Sequence, residues 1–168
     1  LYPGIAKTRS REAVAAAVQA GLPYALRIDM HRAIETARSK LGKVPLTFTE
    51  LGADGTATAV EAHPERWGDA IILRKDTPAS YHLAVVVDDA RQGITHVTRG
   101  RDLFPATDIH RLLQVLLDLP EPLYHHHALI TDIGGRKLSK SAGDTSLRAL
   151  RAGGMTADEV RRLAMAGL

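Results

Sequence analysis

The chain has 168 residues, 45% of them hydrophobic and 24% charged, and a formal net charge of +3, which bounds it to one domain, or one with a small appendage, tolerant of an anionic partner without requiring one. The absence of cysteine excludes disulfides and thiolate metal sites, and an aromatic content of 4% argues against extensive stacking on bases. No apolar run is long enough to span a membrane and no secretory signal is visible, which reads as a cytoplasmic protein without a membrane partner.

The opening Leu1-Tyr2-Pro3-Gly4 has no initiator Met and no lead-in to a first element, as in the remainder of a longer protein. Ser10 caps a predicted helix with Glu12 in its first turn, and Gly21 and Pro23 end it. Tyr24 to Met30 alternates apolar and polar residues, the pattern of a half-buried strand. His31 to Leu41 reads as a short helix closed by Gly42. Leu46 to Thr49 and Thr56 to Val60 are short strands around a Gly52-Ala53-Asp54-Gly55 turn, and Ala70 to Arg74 is another. Tyr81 to Gln92 is ambiguous. Its three valines favour a strand, yet Leu83, Val86, Val87 and Ala90 make one helical stripe. Ile94 to Thr98 is a buried strand, Ala106 to Leu117 an amphipathic helix, and Leu123 to Ile130 a second strand. Together these three form a parallel βαβ unit. Leu147 to Ala152 is a short helix, and Thr156 caps a last one.

The stretch Gly134 to Ser141 follows the second strand of that unit and carries Lys137 and Lys140 with Ser139 and Ser141. Ligands bind beyond the carboxyl ends of strands in parallel sheets, and lysine on a flexible loop suits phosphate; the alternative is a solvated basic loop. Arg99 leaves a strand end, placed to fork onto a carboxylate or to pair with Asp102 or Asp89. Tyr81 offers a hydroxyl to a ligand or fills the core rim. Asp88-Asp89 has the composition of an acid–base or metal pair, but no further ligand is spaced to join it, and a solvated face is the better reading. In a strand, His126 points away from His125 and His127, so only those two could share a ligand face; with no fixed partner identifiable for them, a polar strand end facing a nucleotide is a better reading than a metal site. Arg148, Arg151, Arg161 and Arg162 form either a solvated helix face or a set of RNA-backbone contacts.

Lys137-Leu138-Ser139-Lys140-Ser141 matches the KMSKS signature of class I aminoacyl-tRNA synthetases, with Leu138 in place of Met. Ala70 to Asp76, Tyr81 to Ala90, and Gly93 to Gly100 are similar to the glutamyl branch of that class in collinear order. Gly100-Arg101-Asp102-Leu103 and Asp144 to Arg151 most resemble its glutamyl-Q tRNA(Asp) synthetases, which attach glutamate to the queuosine base of tRNA(Asp). The resemblance implies an α/β fold: an insertion subdomain over 1–74, the second half of a Rossmann catalytic domain over 75–132, and the lysine loop with short C-terminal helices over 133–168. It implies a monomeric ligase whose substrates are glutamate, ATP with Mg2+, and tRNA(Asp). Tyr81 and Arg99 fall on glutamate-binding positions. Lys140 falls on the ATP-contacting lysine with Lys137 assisting, beside Ser139 and Ser141, and Tyr81 to Arg91 becomes a helix. Many members carry a zinc cluster of cysteines and a tyrosine in that insertion. Tyr2 matches the tyrosine, but Ala6 stands at a cysteine position, so zinc is not expected. The HIGH signature of the first Rossmann half is not in this sequence, and the 168 residues alone are expected to be inactive in adenylation. The rival readings are a piece of a conventional glutamyl-tRNA synthetase, which charges the tRNA 3′ end, and a non-catalytic RNA-binding paralogue.

Overall fold

The structure, a computed structural model, describes residues 2–131, 134–138 and 146–166. Polar caps start most helices. Ser10 Oγ accepts the Ala13 N–H at 3.1 Å and opens α1 (Arg11–Gln19). Asp29 accepts the Arg32 N–H at 3.3 Å and opens α2 (Met30–Leu41). That cap cuts short the strand predicted over Tyr24 to Met30, of which only β1 (Leu26–Arg27) forms. Alternation was a weaker influence there than an aspartate free to accept the orphan amides of a helix start. β1 pairs antiparallel with β4 (Ile71–Leu73) in a small separate sheet.

β2 (Thr47–Leu51) and β3 (Ala57–Glu61) form the predicted hairpin, each a little displaced from its expected limits. Gly55 turns it in the left-handed region at φ 81°. The ambiguous valine segment is α3 (Tyr81–Gln92). Ser80 Oγ accepts the Leu83 N–H at 3.4 Å, Gly93 closes the helix at φ 67°, and Val86 is buried on the α2–α4 core. Caps at both ends outweigh the strand preference of β-branched residues.

β5 (His96–Gly100), α4 (Ala106–Leu116) and β6 (Leu123–His127) make the expected parallel βαβ unit. The four-stranded sheet runs β3-β2-β6-β5, with β2, β6 and β5 mutually parallel. The hairpin lies in the segment read from the sequence as an insertion, yet it extends the sheet that carries the βαβ unit, and α2 packs on α4. After the lysine stretch come α5 (Leu147–Ala152), capped by Ser146, and α6 (Ala157–Ala166). Thr156 and Glu159 bond reciprocally before α6, as a capping box does. No helix among the described residues is long and apolar enough to cross a membrane.

α4 differs from its prediction in an informative way. It is amphipathic, but it is buried nearly all round. Its apolar face, Ile109, Leu112 and Leu113, packs on Met30, Ala33 and Val86. Its polar stripe, Thr107, His110 and Gln114 at i, i+3 and i+7, is buried too, and it faces the sheet.

Candidate active site

Side chains alternate across a strand, so every second residue of β2, β6 and β5 shares the face under α4. The register sets Val97 beside Tyr124 and Arg99 beside His126, while β2 is offset so that Glu50 lies level with Tyr124; side-chain contacts across the strands gather these residues into two rows. Phe48, Tyr124 and Val97 form an apolar row. One step toward the carboxyl ends, Glu50, His126 and Arg99 form a polar row, each the penultimate residue of its strand. The polar row therefore lies where parallel sheets present ligand sites.

Arg99 is the centre of this row. Its Nε–H donates to His126 Nε2 at 3.0 Å, an Nη1–H to His110 Nδ1 at 3.1 Å, and an Nη2–H to Thr107 Oγ1 at 2.7 Å. The Tyr124 ring supports the guanidinium from 5.2 Å. Arginine only donates, so each bond fixes its partner as an acceptor. His110, with Nδ1 accepting, carries its proton on Nε2 and donates to His82 Nδ1 at 3.1 Å. His126, with Nε2 accepting, carries its proton on Nδ1 and donates to Glu50 Oε2 at 2.7 Å, while Glu50 Oε1 accepts the His126 backbone N–H at 2.9 Å.

These imidazoles are neutral. Burial, then Arg99, push His110 down to about 3. Burial and Arg99 also lower His82. For His126, burial lowers the basicity more than the Glu50 hydrogen bond raises it. The Glu50–His126 contact is thus a hydrogen bond from a neutral ring rather than an ion pair. The sequence reading paired Arg99 with Asp102 or Asp89 as its alternative to a ligand role, and the structure corrects this. No carboxylate among the described residues forms an ion pair with Arg99; Asp102 is taken by Lys137, and Asp89 is felt only through its field. Among the described residues, Arg99 therefore keeps its positive charge among neutral acceptors, with three of its five N–H groups used.

Tyr81, the first residue of α3, is 51% exposed. Its ring lies edge-on to His110 at 5.7 Å. Tyr81 and Arg99 thus both neighbour the same imidazole. The lysine stretch returns to the same sheet edge: Thr131 bridges Lys137, the Leu138 N–H donates to Ile130 O at 3.1 Å, and Gly135 turns at φ 77°. Lys137 Nζ is paired with Asp102, just beyond the end of β5, and that contact holds the Asp102 carboxyl below its usual range. A Cβ on Gly100 would lie 2.5 Å from Asp102 Oδ1 and 2.9 Å from Leu129 Cδ2, so glycine permits this close approach. Ser139, Lys140 and Ser141 lie outside the described residues.

Other predicted features fall away from this cluster. Asp88 is exposed, and burial raises Asp89. His125 donates to Leu51 O at 2.8 Å and His127 to Ala128 O at 2.7 Å, both on the face opposite His126. Arg161 pairs with Asp158 on an exposed helix face. Zinc does not fit the N-terminal segment. Ala6 has no side-chain donor atom, and the Tyr2 hydroxyl is occupied by the Ala6 N–H at 2.5 Å. A cavity of about 600 Å³ beneath α1, lined in part by Tyr2, Leu22 and Arg27, shares no residue with the Arg99 cluster.

Residues 20–165 match the family model of the catalytic domain of class I tRNA synthetases for E and Q. The chain belongs to that family. This class I synthetase chain is 40% identical over 163 residues to the glutamyl-Q tRNA(Asp) synthetase of Rhodobacter capsulatus, covering 97% of the chain and 55% of the relative. It is 48% identical over 101 residues to the enzyme of that name from Pseudomonas syringae pv. tomato, covering 54% and 34%. The chain thus spans about half the length, or less, of these curated relatives. Among solved structures, the glutamate-tRNA synthetase of Elizabethkingia anophelis superposes with a TM-score of 0.58 at 25% identity, over 82% of this chain and 25% of that one. The glutamate tRNA ligase of Elizabethkingia meningosepticum, solved with its amino acid, gives the same values. The mixed α/β, Rossmann-like architecture with its parallel sheet is that of the class I catalytic domain.

Proposed function

We propose that this chain provides the amino-acid pocket and one phosphate-facing loop of an ATP-dependent glutamate-activating enzyme, and that the glutamate passes to the queuosine base of tRNA(Asp). The observation that carries this reading is the uncompensated charge of Arg99. A half-buried guanidinium held, among the described residues, by neutral acceptors is poised for an anion from outside. Its two remaining N–H groups suit the two oxygens of a carboxylate. Tyr81 borders the same spot, and the Lys137 stem closes the same edge of the sheet.

The chemistry divides into two displacements. A carboxylate oxygen of glutamate attacks the α-phosphorus of ATP, which is taken with Mg2+, and the bond to the β-phosphate bridge breaks to release pyrophosphate. A ring hydroxyl of the modified base then attacks the acyl carbon of the mixed anhydride, and AMP leaves. Neither step needs a nucleophile from the protein. Both need the carboxylate held in line and positive charge beside the separating phosphates. Arg99 and Tyr81 serve the first requirement. Lys137, and Lys140 by its place in the motif, serve the second. The relatives named glutamyl-Q tRNA(Asp) synthetase support the queuosine acceptor, and the glutamate-tRNA synthetases among the structural neighbours support the tRNA 3′ end as the second reading.

One experiment separates them. The full-length protein is given labelled glutamate, ATP and queuosine-containing tRNA(Asp), and the tRNA is digested to locate the label. Label on the modified base is the expected result. Label on the 3′-terminal adenosine supports the conventional synthetase, and unlabelled tRNA with no glutamate-dependent pyrophosphate exchange overturns both.

A further inference from the structure

We propose that Glu50 and His126 are positioning residues for Arg99, acting through a fixed Nδ1–H tautomer of His126. The inference rests on the reading of Arg99 as the carboxylate-binding residue and deepens it. Glu50 touches neither the proposed ligand nor Arg99. It acts on the arginine one ring away.

The geometry leaves little freedom. Glu50 uses both oxygens on His126, one on the backbone N–H at 2.9 Å and one on Nδ1 at 2.7 Å. The His126 ring is also held mechanically. It is stacked on Tyr124 with centroids 5.9 Å apart and 11° between planes, and Phe104 meets it edge-on at 5.0 Å. With Nδ1 protonated, the Nε2 lone pair faces the Arg99 Nε–H at 3.0 Å. Thr107 Oγ1, 3.3 Å from the same Nε2, receives the Nη2–H beside it. Nε and Nη2 form one edge of the guanidinium, so His126 and Thr107 together saturate that edge and fix the plane. The partners are neutral, so the arginine is aimed without being discharged. A carboxylate in direct contact would also fix the plane, but it would compete with an anionic ligand for the same charge.

Glu50→Gln is the discriminating substitution because it changes protons and not shape. Its amide oxygen still accepts the backbone N–H, but its NH2 then faces His126 Nδ1 and makes that nitrogen an acceptor. The ring proton moves to Nε2, where it opposes the Arg99 Nε–H. The experiment uses this chain labelled with 15N in histidine and arginine and reads long-range 15N–1H spectra without ligand. The expected result is Nδ1–H for His126 and Nε2–H for His110. In Glu50→Gln, His126 converts to Nε2–H and the Arg99 Nε–H signal shifts or exchanges away. In the full-length protein the same substitution raises the glutamate KM by about tenfold with little change in kcat, as expected for one misaligned charge-assisted hydrogen bond. An Nε2–H tautomer at His126 in the unsubstituted chain overturns the proposal. So does Glu50→Gln with an unmoved Arg99 signal and unchanged KM. Tautomers as stated in a full-length protein that ignores glutamate support the positioning pair and remove glutamate as its ligand.

Discussion

Arg99 shows what a single side chain gains from its neighbours. Its charge alone does not distinguish it from lysine, but three bonds to separate acceptors require a planar fork. Arg99→Lys keeps the charge and leaves at least one of His126, His110 and Thr107 without its donor. We expect the glutamate KM of the full-length protein to rise by about 10- to 100-fold, since bidentate recognition is lost with the fork. Glutamate-dependent pyrophosphate exchange measures it, and an unchanged KM would remove Arg99 from the pocket. The sequence pointed to Arg99 and Tyr81, and to His126 as part of a polar strand end, but not to Glu50, Thr107 or His110. Glu50 lies 76 residues from His126 and meets it only because β2 pairs with β6. One signal was present: Thr107, His110 and Gln114 repeat at helical spacing within an apolar helix. A polar stripe reads locally as a solvated face, and only the sheet beneath it makes that face interior.

At the level of elements, the caps were more legible than the strands. Ser10, Gly21, Gly42 and Thr156 mark helix ends in the sequence, and helices begin or end beside them in the structure. Ser80 was overlooked, and with it the reason the valine run coils rather than extends. The start of α2 shows how much a cap can gather. Asp69 Oδ1 accepts the Met30 N–H at 3.0 Å, its Oδ2 meets Lys7 at 2.9 Å, and its backbone carbonyl accepts from Arg27 at 2.8 Å. Lys7 and the Met30 N–H together lower the Asp69 carboxyl below its usual range. Asp69→Ala removes the bond to Met30 and releases Lys7. We expect a loss of about 1–2 kcal/mol, the range for a lost cap, read as a lower urea midpoint. Asp69→Asn retains an oxygen for Met30 and is expected to lose less, because the partly exposed ion pair contributes little. Equal losses for the two variants would show that the charge matters and the cap does not.

For the whole molecule, the buried neutral histidines set the response to acid. His110 titrates at about 3 against an ordinary 6.5, so its native form stays neutral while the unfolded chain takes up a proton below 6.5. The unfolded state then binds more protons, and stability falls as pH drops from 6.5 toward 3, by about 1.4 kcal/mol per pH unit. His82 and His126 are shifted the same way and add to it. Carboxylates of depressed pKa such as Asp69 and Asp102 act in the same direction below about pH 5, whereas Asp89 and Asp108, raised by burial, act against it, so the interval from pH 7 to 5 reads the imidazoles against that opposing pair. Urea unfolding at those two pH values is expected to show a loss of about 2 kcal/mol from His110 alone. His110→Gln, whose amide oxygen still accepts from Arg99, is expected to flatten the slope, and a flat unsubstituted curve would contradict the neutral network.

The parallel contact between β2 and β6 carries a further consequence. The resemblance sets a domain limit at residue 74, and a fragment cut there would look like a natural module. It would instead be an opened sheet. The inner strand would become a bare rim of unpaired amides inviting other chains, Phe48 would no longer cover Tyr124, and the carboxylate that sets the His126 proton would leave with the discarded piece.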